Sequence, residues 1–461
     1  MAEAVSSPAP RPARFPRAGG FFLVGLGLIC LTDYISTIYE VRIARETYHT
    51  PWTVRIGGVP LAETFVLAAF GLACIGWLRG VASRGGRLRS YPLDWYFWAT
   101  VAGAAYGVAV GVLTFTARDS VRELLYDMRL VVDFVLVYLL VSRMPRSADQ
   151  SRTLWRWLLG YGGVFFAVNL GMWVVWVFGF HYVPLGVLNL GTLLLTDAGN
   201  VVFFSYLSVL GAILVITGSE SARMRFYAGA LGLASATILV LSFRRANMLA
   251  VGVGVLLAAS MLMTWRSVVR TVRLLPIVLA CVLVLAGAGI NFGRYGGAFL
   301  TLLDRSYAST ELRYVGDENV FYNLDRQQLW LTGLGLGRRY EYAHTLAAAE
   351  NISAFSEEEL GRRWRNTLHV SNPLYALWLR NGLVVGTALG LLPLVGLLWT
   401  ALLVRRRYAH DRDAQVLIVV TLVAAFGVPF PALAPIDPKN AMLSGAILGL
   451  CSATMRLTRA A

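Results

Sequence analysis

The stretch "LLYDMRLVVDFVLVYLLVSRMPR" (Leu124–Arg146) decides how the rest of the chain is read. From Leu124 to Val141 it is an apolar run of the roughly 17–25 residues that a helix needs to cross a bilayer. Arginines follow at once, at Arg143 and Arg146. A span that ends in a basic loop fits the excess of Lys and Arg that cytoplasmic loops carry. Of the charges inside the run, Asp133 is expected to pair with Arg129, because an isolated charge at that depth is costly.

The same pattern recurs along all 461 residues, which are 57% hydrophobic and only 15% charged. A soluble domain carries about 25% charged residues, so the composition is that of a polytopic membrane protein. Apolar runs lie at Gly20–Ile35, Leu61–Trp77, Trp95–Phe115, Leu124–Val141, Trp155–Phe178 and Val201–Ile216. Six more lie at Phe226–Leu241, Ala246–Met263, Leu274–Ile290, Leu383–Val404, Val416–Val428 and Ala441–Met455. Arginines precede the first run and follow the second, fourth, sixth, eighth and tenth, and Arg456 and Arg459 close the chain. Every second connection is thus short and basic, which assigns it, and both termini, to the cytoplasm. The expected fold is an all-α polytopic membrane protein: one transmembrane domain over residues 1–461, with about 12 transmembrane helices. The first run has no cleavage signature and reads as a retained helix. Cys30, Cys74, Cys281 and Cys451 all fall in apolar runs and read as small core residues.

The net charge is +15, and Lys439 is the only lysine. Much of that charge sits in the cytoplasmic loops, where it faces anionic lipid headgroups. No soluble basic domain is left to bind nucleic acid, and no nucleic-acid partner is expected.

One outward connection differs from the rest. Between the ninth and tenth spans, over residues 292–370, the chain runs without a span and holds ten of the 26 acidic residues. Loops of such length are functional or disordered, and the tryptophans and tyrosines here argue for order. Short helices packed over the membrane surface are expected, and the chemistry with them. Within the loop, "TGLGLGRRY" (Thr332–Tyr340) sets Gly333, Gly335 and Gly337 at alternate positions. That spacing allows either a backbone nest for phosphate or a tight turn that lets elements pack closely. No strand–turn–helix context surrounds it, which excludes a dinucleotide fingerprint.

Two further stretches carry candidate chemistry. In "LSFRRANML" (Leu241–Leu249), Arg244 and Arg245 stand at an outward junction between two spans. They either snorkel to lipid phosphates or clamp a diphosphate, which guanidinium groups grip bidentately and a helix N-terminus favours. In "TLHVSNPLYALWLRNGLVVG" (Thr367–Gly386), Ser371 and Asn372 can cap a helix whose first residue is Pro373. His369 therefore stands just before a helix start. It is a general base or a helix-flanking structural histidine. His344, Asp317 and Glu318 are weaker candidates on the same loop.

Taken together, these motifs resemble the O-antigen ligase and O-antigen polymerase superfamily of bacterial inner-membrane glycosyltransferases. The resemblance covers roughly residues 231–386. It rests on the order of "SFRRAN", "ELRYVGDEN" and "GLGLG", then a histidine with Asn372 leading to Gly382 and Gly386. It implies a periplasmic active site and transfer of a glycan from undecaprenyl diphosphate to an acceptor, with no metal or other cofactor. Carried over by position, Arg244 or Arg245 with Arg313 would bind the donor diphosphate and His369 would be catalytic. Asn372, Arg338 and Arg339 would support them. The family often has His directly before the Asn; here Ser371 takes that place and His369 comes two residues earlier.

The physical chemistry supports that division of labour. Departure of a glycan leaves negative charge on the diphosphate, which fixed cations stabilise. The attacking hydroxyl needs a base, and histidine has the suitable pKa near neutrality. The outward loops contain no Asp-x-Asp sequence of the kind a metal-dependent nucleotide-sugar enzyme uses. The expected function is O-antigen ligation to lipid A–core, with polymerisation of repeat units as the alternative. A lipid-linked glycan transporter is the other class, and it would want arginines too.

Overall fold

The computed structural model describes residues 19–25, 27, 55–56, 59–82, 93–116, 121–179, 198–217, 221–241, 245–262, 316–341, 364–366, 373–407, 418–419 and 438–459. Where they are described, the apolar runs are helices. Residues 19–25 form α1, followed by α2 (Leu61–Ala82), α3 (Asp94–Leu113), α4 (Val121–Arg143), α5 (Ala148–Gly179) and α6 (Ala198–Thr217). Then come α7 (Ala222–Leu241), α8 (Arg245–Leu262), α9 (316–326), α10 (Pro373–Arg407) and α11 (Pro438–Arg459). Most helix bounds depart from the apolar runs by up to two turns, because polar residues with good helix propensity extend a helix beyond its apolar part. The helix expected from Leu383 instead starts ten residues earlier, at Pro373, because the mostly apolar segment before Gly382 is helical as well.

Among the described residues, two stretches are long and apolar enough to cross a membrane, Asp94–Leu113 and Leu374–Leu391. Glu63–Ile75, Phe203–Thr217 and Ala441–Leu457 are apolar but shorter. The run expected at Leu274–Ile290 lies outside the described residues, as does all of Val416–Val428 except 418–419. Four short strands add to the helices. Arg55–Ile56 (β1) pairs antiparallel with Val59–Pro60 (β2), and Arg339–Glu341 (β3) pairs antiparallel with Trp364–Asn366 (β4).

The core is built where α4, α5, α6 and α11 meet, around Phe134, Tyr138, Phe165, Phe203, Leu210 and Leu448. Helices α4 and α11 run parallel and close together. A Cβ on Gly445 would stand 2.7 Å from the Phe134 carbonyl oxygen, and one on Gly449 3.0 Å from that of Tyr138. Small residues are what let helices in lipid approach this closely. Helix α3 runs antiparallel to α10, with Gly103 against Leu389 and Gly107 against Asn381. The outer surface stays apolar: Trp98 is 63% exposed, Phe226 80% and Trp399 64%. Exposed apolar area of that extent marks an interaction surface.

The two ends of the bundle differ in chemistry. At the lower end, where α3 starts and α4 finishes, Arg143 bonds Asp94 at 3.2 Å and Arg456 donates to the Pro145 carbonyl. The terminal Arg405, Arg406 and Arg407 of the antiparallel α10 belong to the same end. Between α2 and α4, Arg129 lies 3.8 Å from Asp133, so the expected pair forms, and Arg129 also meets Glu63. The upper end, where α3 finishes and α4 starts, receives the segment 316–341.

Candidate functional site at a broken helix

Helix α10 begins at Pro373, the residue that the sequence marks as a first helical position. It is interrupted at Gly382, whose φ of 76° and ψ of 170° lie outside helical space and within reach of glycine alone. The Asn381–Gly382 dipeptide is the turn signal for this break. In an unbroken helix Leu383 N–H would bond the Leu379 carbonyl. Here the loop supplies both partners. Leu383 N–H donates to the Trp330 carbonyl at 2.6 Å, and Leu334 N–H donates to the Leu379 carbonyl at 2.6 Å. Gly335 N–H satisfies the Arg380 carbonyl at 2.9 Å. The break is stitched by segment 330–335, which supplies partners for the Leu383 N–H and for the Leu379 and Arg380 carbonyls.

The same segment reaches α3 and α4. Leu336 N–H donates to the Gly107 carbonyl at 2.8 Å, and Gly337 N–H to Asp127 Oδ2 at 2.8 Å. Thr114 Oγ1 donates to the Leu334 carbonyl at 3.1 Å. Gly333 N–H donates to the Leu329 carbonyl at 2.8 Å, so every backbone N–H from Gly333 to Gly337 is engaged within the protein. Of the two readings of the glycine repeat, the tight packing turn holds and the phosphate nest does not. A Cβ on Gly335 (φ 86°) would stand 2.8 Å from the Gly107 carbonyl oxygen and closer still to the Gly111 backbone.

Helix α9 is fastened to this turn by buried amides. The Asn323 side chain donates to the Glu341 carbonyl at 2.7 Å and accepts from Glu341 N–H at 2.9 Å. Phe321 meets Tyr375 at 5.1 Å between ring centroids, and Tyr375 meets Trp378 at 5.0 Å, joining α9 to the first part of α10. The antiparallel β3–β4 pair draws Trp364–Asn366 back to Arg339–Glu341. Short helices were expected in this loop; the strand clip was not, since three-residue strands carry no readable period.

The two arginines expected as supports differ in role. Arg338 is buried, with Nη1 3.3 Å from Thr116 Oγ1, and burial pushes its guanidinium pKa below the ordinary value. Arg339 grips both carboxylate oxygens of Glu123, with Nε at 3.1 and 3.0 Å, and that hydrogen-bonded partner pushes its pKa up. Arg245 is the first residue of α8, as a helix-opening arginine should be. Arg244, Arg313, His344, His369 and Asn372 lie outside the described residues. Asp317 and Glu318 are on α9, with Glu318 exposed.

Three polar residues of this site were not foreseen: Asp127, Arg380 and Asn381, all less than 5% exposed. Asp127 and Arg380 attract each other electrostatically across the α4–α10 gap. Asp127 Oδ1 and Asn381 Oδ1 have no hydrogen-bond partner among the described residues. The signal was present in "WLRNGL", a charged residue and a turn dipeptide between two apolar stretches. Among the described residues no group of three His, Cys, Asp or Glu side chains is close enough to hold a metal ion. No family model and no curated protein matches the chain.

Proposed function

We propose that the chain is a multi-pass glycosyltransferase of a bacterial inner membrane, with about 12 spans and both termini in the cytoplasm. It moves a glycan from undecaprenyl diphosphate to an acceptor on the periplasmic side, which is the upper end of the bundle. The acceptor is lipid A–core, as in O-antigen ligation. The observation that carries the reading is the stitched break at Gly382, where segment 330–337 replaces the helix's own hydrogen bonds. A long loop built into helix ends is a rigid scaffold of the kind a catalytic site needs. The collection of arginines at the lower end supports the orientation.

In this reading Arg245 and Arg313, with Arg244, hold the donor diphosphate and stabilise the charge that develops on it as the glycosidic bond breaks. His369 takes the proton from the acceptor hydroxyl as its oxygen attacks the anomeric carbon. The residues that flank His369 in the described chain, Asn366 of β4 and Pro373 of α10, both belong to the stitched upper end. The cations do the work that a metal would do for a nucleotide-sugar donor.

Polymerisation of repeat units uses the same donor and differs only in its acceptor. A transporter of the lipid-linked glycan is favoured by one observation, since broken helices line transport sites. Here, however, the break is bonded on both sides to one loop, which makes it a fixed joint. Proteoliposomes given the lipid-linked glycan, with lipid A–core and a second donor molecule as competing acceptors, separate the readings. Product on lipid A–core supports ligation and chain extension supports polymerisation; glycan crossing the bilayer without transfer would overturn the enzyme.

A further inference from the structure

Helix α3 has 20 residues, Asp94 to Leu113, which at about 1.5 Å per residue is about the thickness of a hydrocarbon core. Segment 330–337 does not sit on top of this helix. Its contacts run down the helix from Thr114 at the upper terminus through Gly111 to Gly107, which lies six residues, about 9 Å, below that terminus. Helix α4 shows the far end of the segment rising again, because Gly337 packs against the Leu124 backbone, three residues and about 4.5 Å into that helix, and its N–H reaches the Asp127 carboxylate. At Gly382 the neighbouring residue is Leu331, which is 71% exposed. The exposed apolar face then continues down α10 through Val384 at 62% and Val395 at 63%.

We infer that residues 330–337 form a re-entrant turn that enters the outer third of the hydrocarbon layer and presents Leu331 to the acyl chains of the outer leaflet. Non-helical backbone survives at that depth only where its polar groups are bonded inside the protein. That condition is met along Gly333 to Gly337, whose N–H groups all have protein partners, and at the carbonyls of Trp330, Thr332 and Leu334. The charges nearby, Asp127 and Arg380, are both buried inside the protein, away from lipid. The occupant of the exposed face is bilayer chains, because Leu331 continues the apolar surface that α10 presents along its length.

The inference rests on the membrane reading of α3 and is independent of glycosyl transfer. The test is nitroxide labelling of Leu331→Cys, Val384→Cys, Asp325→Cys and Trp98→Cys in a chain freed of its four cysteines. Each variant is reconstituted in phosphatidylethanolamine–phosphatidylglycerol vesicles, and power saturation compares access to oxygen with access to a water-soluble nickel chelate. Labels at 331 and 384 should favour oxygen, and the label on exposed Asp325 should favour nickel. A label at 331 that favours nickel as 325 does, while 98 favours oxygen, overturns the re-entrant turn alone. Nickel access at 98 overturns the membrane reading of α3 and the turn with it.

Discussion

Replacing Gly335 by alanine adds one methyl group at the point where the loop, α3 and the broken helix converge. Two penalties follow from the geometry. Gly335 has a φ of 86°, and a left-handed conformation costs an L-residue about 1–2 kcal/mol. The new Cβ would also stand 2.8 Å from the Gly107 carbonyl oxygen, with the Gly111 backbone closer still. Both neighbours are main chain of a packed helix, so the loop must move, at an overpacking cost of about 1–3 kcal/mol. The sum is roughly 2–5 kcal/mol, enough to release the bond from Gly335 N–H to the Arg380 carbonyl and with it the stitch at Gly382. The assay is thermal unfolding of purified protein in detergent, read by size-exclusion recovery. Gly335→Ala should lower the transition clearly. Gly160→Ala, where nothing lies within 4 Å, should leave it unchanged or raise it by the ~0.5–1 kcal/mol that Ala gains over Gly in a helix. Gly111→Ala probes the same contact from the α3 side, against the backbone of Leu336, and should be less than additive with Gly335→Ala. A Gly335→Ala protein as stable as the unmodified chain would refute the stitched break.

Asp127→Ala frees the Gly337 N–H and removes the carboxylate facing buried Arg380, and should destabilise by about 3–5 kcal/mol in denaturant titration; Asp127→Asn, which keeps an acceptor, should lose less. Arg245→Ala or Arg313→Ala should remove most transfer activity, with Lys restoring only part, because an ammonium cannot make the bidentate phosphate contact. Unaffected activity in the Arg244→Ala, Arg245→Ala pair would return those side chains to snorkelling. His369→Ala should lower turnover by roughly 10²–10⁴ with donor binding little changed. Adding Ser371→His should recover part of the loss, and full turnover in His369→Ala alone would remove the histidine from the chemistry.

The legible features were those that the bilayer imposes locally. A run such as Leu124–Val141 has to be helical to satisfy its backbone in lipid, and α4 covers it. Pro373 marked a helix start, and Arg129 and Asp133 are close enough in sequence to be paired by inspection. The illegible features are long-range. Gly337 bonds a carboxylate 210 residues earlier, and no local pattern announces that partner. The glycine repeat was open between a phosphate nest and a packing turn, and only tertiary hydrogen bonds to Leu379, Arg380, Gly107 and Asp127 decide it. Arg129 was given its near partner Asp133 but not Glu63 of α2, for the same reason. Asp127 and Arg380 lie in different apolar stretches far apart in sequence, and only the fold brings their charges within reach of each other.

Release of undecaprenyl diphosphate tests the central claim most directly. The purified chain, reconstituted with a lipid-linked glycan and lipid A–core, is followed for free undecaprenyl diphosphate and for glycan joined to the core, with EDTA present throughout. The account predicts both products in equal amounts, undiminished by the chelator, and their joint loss in His369→Ala. Intact donor after prolonged incubation with active acceptor, or release that stops when EDTA is added, would contradict it.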